Sequence, residues 1–350
     1  MAIWAKELFK KIIKKLLFIF FSLIFLYVIV DFSIHSTRFA NANVVMLIKY
    51  YLTQVSDYLD VFLPISFLIS IVRTLTEMNI NKELLALFSS GLSKKSLIKP
   101  LFVIAFLLSL VCLFNAEFVV PKTAYFMNNF QKQFFAKKFK NAKRKVHSIF
   151  LSDHSHLVFS KYDPQSGTLE DIFWIRNFND ILHIEKIELT SPPTAYFLDS
   201  LTREQNDRLV KRDSYKKKVL ENLSVTEQEL LDLFITPDRY PLTKLLISNK
   251  NESLETISEK NSLASLKIIY SLTFFLIVIC TFPFCIHFSR DFSPLYVLSF
   301  SIFAFVCFYA MLSALSILSI NQVFSTFTVL WIPSIFLLLI GFYVFFRKHT

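Results

Sequence analysis

The sequence predicts an α-helical membrane protein with six transmembrane helices and one inserted β domain outside the membrane. Apolar residues make up 54% of the 350 residues, and 41 of them are phenylalanines. This fraction exceeds the roughly 45 to 50% of an average soluble domain. The charged residues are concentrated, because 41 of the 65 Lys, Arg, Asp and Glu residues lie between Lys122 and Lys260. The chain is therefore divided into two apolar ends and one polar insert.

Six apolar runs are long enough to cross a bilayer, whose core of about 30 Å requires about 20 residues of helix. Three precede the polar insert and three follow it, at residues 16–34, 55–75, 100–120, 266–288, 294–320 and 324–346. This order predicts residues 1–121 with helices one to three, the insert at 122–262, and residues 263–350 with helices four to six.

Lysine and arginine in the short connections predict how the helices are oriented, because positive charge is retained on the cytoplasmic side. Five lysines lie between residues 6 and 15, five basic residues lie between Arg73 and Lys99, and Arg347 and Lys348 follow the last helix. The connection at residues 319–322 carries no charge. We therefore expect both termini in the cytoplasm and residues 122–262 on the exported side.

The insert has the pattern of an antiparallel β domain. Its apolar runs are short and lie at residues 149–151, 157–159, 172–175, 181–184 and 194–198. Turn-forming residues separate them, for example at 163–167 and 191–193;. The insert is therefore predicted to form a sheet rather than further helices.

Two features of the insert suggest other functions, and its composition argues against both. The basic runs 137–145 and 211–218 resemble a nucleic-acid-binding surface. The insert nevertheless has 22 basic and 19 acidic residues, and the one aromatic residue in each run does not indicate a stacking platform;. His147, His154 and His156 resemble metal ligands, but they have no nearby cysteine and no helical i, i+4 spacing;. We therefore predict neither a nucleic-acid partner nor a metal site.

The glycines and cysteines argue against several enzyme classes. Only three glycines occur, Gly91, Gly167 and Gly341, and they are too scattered to form a phosphate-binding loop;. The four cysteines lie in apolar runs without C-x-x-C spacing;. We therefore predict a chain that is not an enzyme, with no catalytic residues, ATPase site or bound cofactor of its own.

A short helix is predicted at residues 81–91, between the second and third transmembrane helices. Asn81 is a suitable N-cap, Glu83 favours the positive end of the helix dipole, and Gly91 can adopt the left-handed conformation that ends a helix;. The leucines between them and Phe88 would place this helix at the inner membrane surface. The pattern alone also fits a helix that only rests on lipid.

Three motifs follow one another along the chain, and the first begins in this short helix. They are ELLALFSSGLS at residues 83–93, NAEFVVP at 115–121, and WIP at 331–333 followed by GFY at 341–343. Together with the order of three spans, β insert and three spans, they resemble the LptF/LptG (YjgP/YjgQ) permeases of the lipopolysaccharide export ABC transporter. The end of the first span, residues 30–32, is more similar to LptG. The chain departs from the family before the fourth span, where it lacks the usual arginine and only Lys267 follows.

The resemblance implies a multi-pass permease in the inner membrane of a Gram-negative bacterium. Such a permease extracts lipopolysaccharide together with a paralogous permease subunit and passes it to periplasmic β-jellyroll bridge proteins towards the outer membrane. A cytoplasmic ABC ATPase dimer uses the ATP, and the insert is implied to be a periplasmic jellyroll-like domain.

The resemblance also implies that residues 81–91 form the coupling helix that the ATPase contacts. The implied coupling residues are Glu83, Leu84, Leu87, Phe88 and Gly91. Glu83 would pair with an arginine of the ATPase. The spacing of the three apolar residues at i, i+3 and i+4 would form an apolar knob that enters a groove on the ATPase.

Six residues are candidates for contact with the lipid. Arg38, Lys49 and Lys267 lie at the exported ends of spans and would attract the phosphates of lipid A, although a solvated loop for the first two and an interfacial lysine for Lys267 are the favoured explanations;. A charged carboxylate near a membrane is energetically costly, so Glu117 is expected to face a cavity or a partner rather than lipid. Phe159 and Trp174 in the β insert would contact acyl chains.

Two other functions are compatible with the same residues. A permease for another amphiphile, such as a lipoprotein, would share the dependence on an ATPase but transport a different lipid. A membrane sensor or scaffold with an exported ligand domain would need no ATPase. Copurification of a nucleotide-binding subunit would separate the sensor from both permeases.

Overall fold

The computed structural model describes residues 3–39, 42–134, 147–151, 155–163, 167–177, 180–190, 192–203, 209–220, 223, 237–247, 254–286 and 294–347. The chain forms two compact units. Met1–Met127 and Pro237–Thr350 form the helical unit, and Asn128–Thr236 form the β unit. The β unit is shorter than the insert predicted at 122–262, because residues 122–127 and 237–262 belong to the helical unit.

The helices follow the order expected for two groups of spans around an insert. Their bounds are α1 (Ile3–Phe39), α2 (Val44–Asp57), α3 (Leu59–Ile80), α4 (Glu83–Ser89), α5 (Lys94–Phe114), α6 (Val120–Phe134), α7 (Leu242–Leu246), α8 (Leu254–Ile286), α9 (Pro294–Ile320) and α10 (Ile332–Arg347). Two π-helical segments, Asn115–Val119 and Phe327–Trp331, precede α6 and α10, and a 3₁₀ turn, Pro237–Arg239, precedes α7.

Among the described residues, five helices are long and apolar enough to cross a membrane, which confirms a polytopic membrane protein. They are Ile3–Phe39, Leu59–Ile80, Lys94–Ala124, Ile257–Ile286 and Leu295–Ile320. The sixth predicted span is a shorter apolar helix, Phe327–Tyr343. The predicted start at residue 324 lies in the turn after α9, so this span is shorter than its apolar run.

The helix ends differ from the predicted spans where polar residues are also helical. The second span starts at Leu59 rather than at 55, because residues 55–57 end the separate helix α2. The fourth spanning helix, α8, begins at Leu254 rather than at 266. Its first turns are polar, so hydropathy does not indicate that they are helical. Helix α1 has 37 residues and is therefore about 55 Å long at about 1.5 Å per residue. It is much longer than a bilayer core is thick.

The core of the helical unit lies between α1, α3, α5 and α8. Ile12, Phe67, Ile71, Leu101 and Phe274 are fully buried in it. The last helix approaches α8 closely at Gly341. A Cβ atom at this position would lie 2.8 Å from Cγ2 of Ile279. Glycine is therefore required here by the small distance between two helices rather than by backbone conformation.

The β unit contains an antiparallel sheet whose neighbouring strands follow chain order. The strands are β1 (His147–Phe150), β2 (His156–Asp163), β3 (Thr168–Asn177), β4 (Asp180–Glu188), β5 (Thr194–Arg203) and β6 (Leu209–Val219). A double Greek-key jellyroll instead pairs strands that are distant in the chain. The antiparallel β domain is thus confirmed, and the described part of it is a meander.

Each predicted apolar run of the insert overlaps one of the strands β1 to β5. These strands place large apolar side chains on one face, including Phe159, Ile172, Trp174 and Ile184, which form a common buried core. Strand β6 was not predicted. Its sequence, LVKRDSYKKKV, contains the basic run 211–218 and lacks the alternating apolar residues that predict a strand with one buried face;.

Candidate functional site

The short helix α4 lies between α3 and α5 and ends in a glycine turn. The amide of Gly91 donates to the carbonyl of Phe88 over 3.0 Å, and the amide of Leu92 donates to that of Leu87 over 3.1 Å. With the φ of 87° at Gly91, these bonds form a Schellman motif. Gly91 thus adopts the left-handed conformation that the sequence predicts.

The start of α4 differs from the prediction. Residue Lys82, with a φ of 59°, occupies the N-cap position, and its side chain makes no capping hydrogen bond. Asn81 instead follows the last turn of α3, where its amide donates to the carbonyl of Glu77. The N-cap prediction was wrong because α3 continues almost to the start of α4, so that Asn81 ends one helix and does not begin the next.

Leu84 of α4 faces the protein's own core and Leu87 and Phe88 are partly buried against it, so the predicted apolar knob is only partly exposed and its contact with an ATPase stays a prediction. Leu84 is only 1% exposed, and Leu87 and Phe88 pack against the same core. Leu85 is 60% exposed, and Ala86 is exposed as well. The i, i+3, i+4 spacing was recognised correctly, but such a stripe attaches a short helix to whichever apolar surface is nearest. That surface is the core of the helical unit.

Glu83 is paired within the chain. Its Oε2 atom lies 2.8 Å from Nζ of Lys11 in α1, and the two side chains are 39% and 43% exposed. One turn further along α1, Lys15 pairs with Glu77 of α3. In the sequence, Lys11 and Lys15 indicate only the positive charge of the N-terminal segment. They are four residues apart on one helix face, and this spacing is the signal that could have predicted two ion pairs;.

Arg38 and Lys49 lie where α1 and α2 meet. Both side chains are exposed. Their neighbours Phe39 and Tyr50 contact each other with ring centroids 5.6 Å apart. The structure thus brings together the two helix segments that carry these basic residues, at a surface that a ligand can reach.

Glu117 and Lys267 contact the same segment, residues 237–247, which follows the β unit. Oε1 of Glu117 accepts a hydrogen bond from the Thr243 hydroxyl over 2.6 Å, and Oε2 accepts one from the Thr243 amide over 3.2 Å. Nζ of Lys267 donates to the carbonyl of Tyr240 over 2.6 Å. Glu117 therefore binds to a segment of its own chain, and its expected position at a cavity or a partner stays a prediction.

Phe159 and Trp174 are buried in the apolar core on one face of the sheet. The indole Nε1 of Trp174 donates to Oγ of Ser155 over 2.8 Å. Its neighbour Phe173 points to the opposite face and is 38% exposed, stacked on His183. The two candidates therefore share one apolar environment, which lipid could reach only if that face opened.

A family model described as the lipopolysaccharide export system permease LptF/LptG matches residues 6–347, almost the whole chain. The chain belongs to the LptF/LptG family. A comparison with curated proteins gave no significant match. The family assignment confirms the resemblance and makes the chain a transport subunit of the membrane rather than a catalytic enzyme.

Several finer predictions about this LptF/LptG protein stay predictions. The preference for LptG over LptF is one of them. Another concerns the histidines of the insert, since His154 lies outside the described residues. Among the residues that the structure describes, no group of three His, Cys, Asp or Glu side chains could hold a metal ion.

Proposed function

We propose that this chain is one of two paralogous permease subunits that extract lipopolysaccharide from the inner membrane and deliver it to a periplasmic β-jellyroll bridge. The observation that carries the proposal is the family match, which extends through both units of the chain. The apolar helices and the sheet with one apolar face fit such a role. ATP would be used by a separate cytoplasmic ABC ATPase dimer, and the chain itself would bind no cofactor.

The proposed topology has both termini and α4 in the cytoplasm and the β unit in the periplasm. Its support is the distribution of lysine and arginine outside the insert. There these residues are concentrated before the predicted first span, around α4 and after the last span;. In this topology α4 is accessible to a cytoplasmic ATPase, and the sheet is accessible to periplasmic partners.

The proposed coupling surface is the exposed side of α4. Because Leu84, Leu87 and Phe88 hold the helix against the core, contact with the ATPase would involve Leu85 and the exposed part of Glu83. An arginine of the ATPase could then compete with Lys11 for the Glu83 carboxylate. Buried Leu84, partly buried Leu87 and Phe88, and Gly91 would keep α4 in position rather than contact the partner.

The proposed lipid contacts are of two kinds. Arg38 and Lys49 would attract the phosphates of lipid A, because both are exposed on adjoining helix segments;. Phe159 and Trp174 would receive acyl chains, since each buried methylene contributes about 0.8 kcal/mol. The second step requires that the apolar face of the sheet opens.

A photo-crosslinking experiment on the complete complex tests the proposal. A photoreactive amino acid is placed at Trp174, at Phe159, or at Phe173 as a control in the same strand that faces away from the apolar core. We expect lipopolysaccharide to crosslink at the first two positions only with ATP, and not at the third. Equal crosslinking without ATP, or none at either core position, would contradict a transport role.

A further inference from the structure

Two chain connections join the helical unit to the β unit. The outgoing connection is the π-helical segment Asn115–Val119 followed by α6, and the return connection is residues 237–247. Both connections contact the last two residues of α2, Ser56 and Asp57. These contacts lie entirely within the helical unit.

Ser56 holds the outgoing connection by two hydrogen bonds. Its hydroxyl donates to Oδ1 of Asn115 over 2.7 Å, and Nδ2 of Asn115 donates to the Ser56 carbonyl over 2.8 Å. Asn115 is the first residue of the π-helical segment. Such segments are rare and occur frequently at functional sites.

Asp57 holds the return connection by an ion pair. Its Oδ2 atom lies 2.5 Å from Nη2 of Arg239, and each side chain is only 15% exposed. Removal of one partner from a buried pair leaves an uncompensated charge in the protein interior, which is far more costly than the loss of a surface pair. The pair therefore fixes Arg239 to the end of α2.

The two connections also contact each other, through the double hydrogen bond between Glu117 and Thr243. A set of six residues thus links both connections to α2, and we call it the root clamp. It consists of Ser56, Asp57, Asn115, Glu117, Arg239 and Thr243.

Helix α3 leads from the root clamp to α4. It begins two residues after Asp57 and ends three residues before Glu83. Its 22 residues span about 33 Å at about 1.5 Å per residue, enough to cross a bilayer core. Pro64 cannot donate to the carbonyl of Asp60, but the hydroxyl of Tyr309 donates to this carbonyl over 2.7 Å;. The helix therefore remains supported at its proline.

We propose that Asp57 and Arg239 are positioning residues that transmit movement of α3 to both connections of the β unit. When α4 is displaced, α3 carries the displacement across the membrane, and the root clamp moves the two connections together. This inference rests on the proposed export function, because it assumes that an ATPase acts on α4. It assigns to the root clamp a role in coupling rather than in lipid binding.

A charge exchange in the complete complex tests the inference. The variants are Asp57→Arg, Arg239→Asp and the combination of both. Two quantities are measured with the photoreactive residue at Trp174: the ATPase rate and the amount of lipopolysaccharide crosslinked per ATP hydrolysed. We expect each single variant to keep the ATPase rate within about twofold while crosslinking per ATP falls at least about tenfold, as a broken coupling element predicts. The combined variant should regain at least half of the crosslinking.

A matched control uses the ion pair between Asp199 and Lys211 in the β unit, which joins the neighbouring strands β5 and β6 and is more exposed. Lys211→Asp should change neither quantity. Normal crosslinking in both single variants would overturn the inference. It would also be overturned if the single variants reduced complex assembly and the ATPase rate as much as crosslinking, and the combined variant did not restore them. If the unaltered complex shows no crosslinking that depends on ATP, the export function itself fails.

Discussion

The orientation of α4 leads to opposite expectations for two adjacent leucines. Leu84 is 1% exposed and Leu85 is 60% exposed. Truncation of Leu84 to alanine should therefore destabilise the helical unit by about 2 to 5 kcal/mol, the range for buried leucines. Truncation of Leu85 should leave stability unchanged within about 0.5 kcal/mol, as at other surface positions.

The effect of Leu85→Ala on ATPase binding can be worked out from its exposure. Complete burial of a leucine contributes about 1.5 to 3 kcal/mol, and contact with a partner can bury at most the 60% that is exposed. The expected loss is therefore about 1 to 2 kcal/mol, which corresponds to a Kd about 5 to 30 times higher.

Titration of the ATPase onto the permease complex in nanodiscs measures this Kd, and thermal unfolding of the same samples measures stability. Leu84→Ala should lower the unfolding temperature, whereas Leu85→Ala should weaken binding alone. The reasoning would be refuted if Leu84→Ala weakened binding with no change in unfolding temperature while Leu85→Ala had no effect. The apolar stripe would then face the ATPase.

Three further predictions concern topology, packing and charge. Ser166→Cys should be labelled only from the periplasmic side; labelling from the cytoplasm would exclude the topology. Gly341→Ala should destabilise the protein by about 1 to 3 kcal/mol through overpacking, and Ile279→Ala should recover part of this loss in thermal unfolding, because the added Cβ would approach Ile279. Glu83→Lys should abolish export without loss of membrane insertion, since it removes the carboxylate proposed to pair with an arginine of the ATPase; adding Lys11→Glu should not restore export, and restoration would show that only the ion pair with Lys11 is required.

Patterns in the sequence predicted which helices and strands occur more accurately than the residues at which they begin and end. The apolar runs identified the spans, and Gly91 was recognised because a left-handed turn has few alternatives to glycine;. The start of α8 was missed because its polar first turns resemble a loop in hydropathy. Strand β6 was missed because an edge strand with both faces exposed needs no apolar alternation;.

Contacts between distant residues could not be predicted from the sequence. Lys11 and Glu83 are 72 positions apart, and Asp57 and Arg239 are 182 positions apart. The sequence showed that Glu117 needs a polar partner, since an unpaired carboxylate is costly near a membrane. It contained no signal that this partner would be Thr243, because only the folded chain brings the return connection beside the π-helical segment Asn115–Val119.

Two ion pairs of different strength flank α3, one on α4 and one at the end of α2, and in the proposed coupling this difference decides where movement begins. The pair between Lys11 and Glu83 is about 40% exposed, so exchange of Lys11 for another cation costs about 1 kcal/mol or less. Breaking the buried pair between Asp57 and Arg239 costs about 3 to 5 kcal/mol;. In the proposed cycle of ATP hydrolysis the α4 end would therefore change partners, while the root clamp would stay closed and carry the displacement to the β unit.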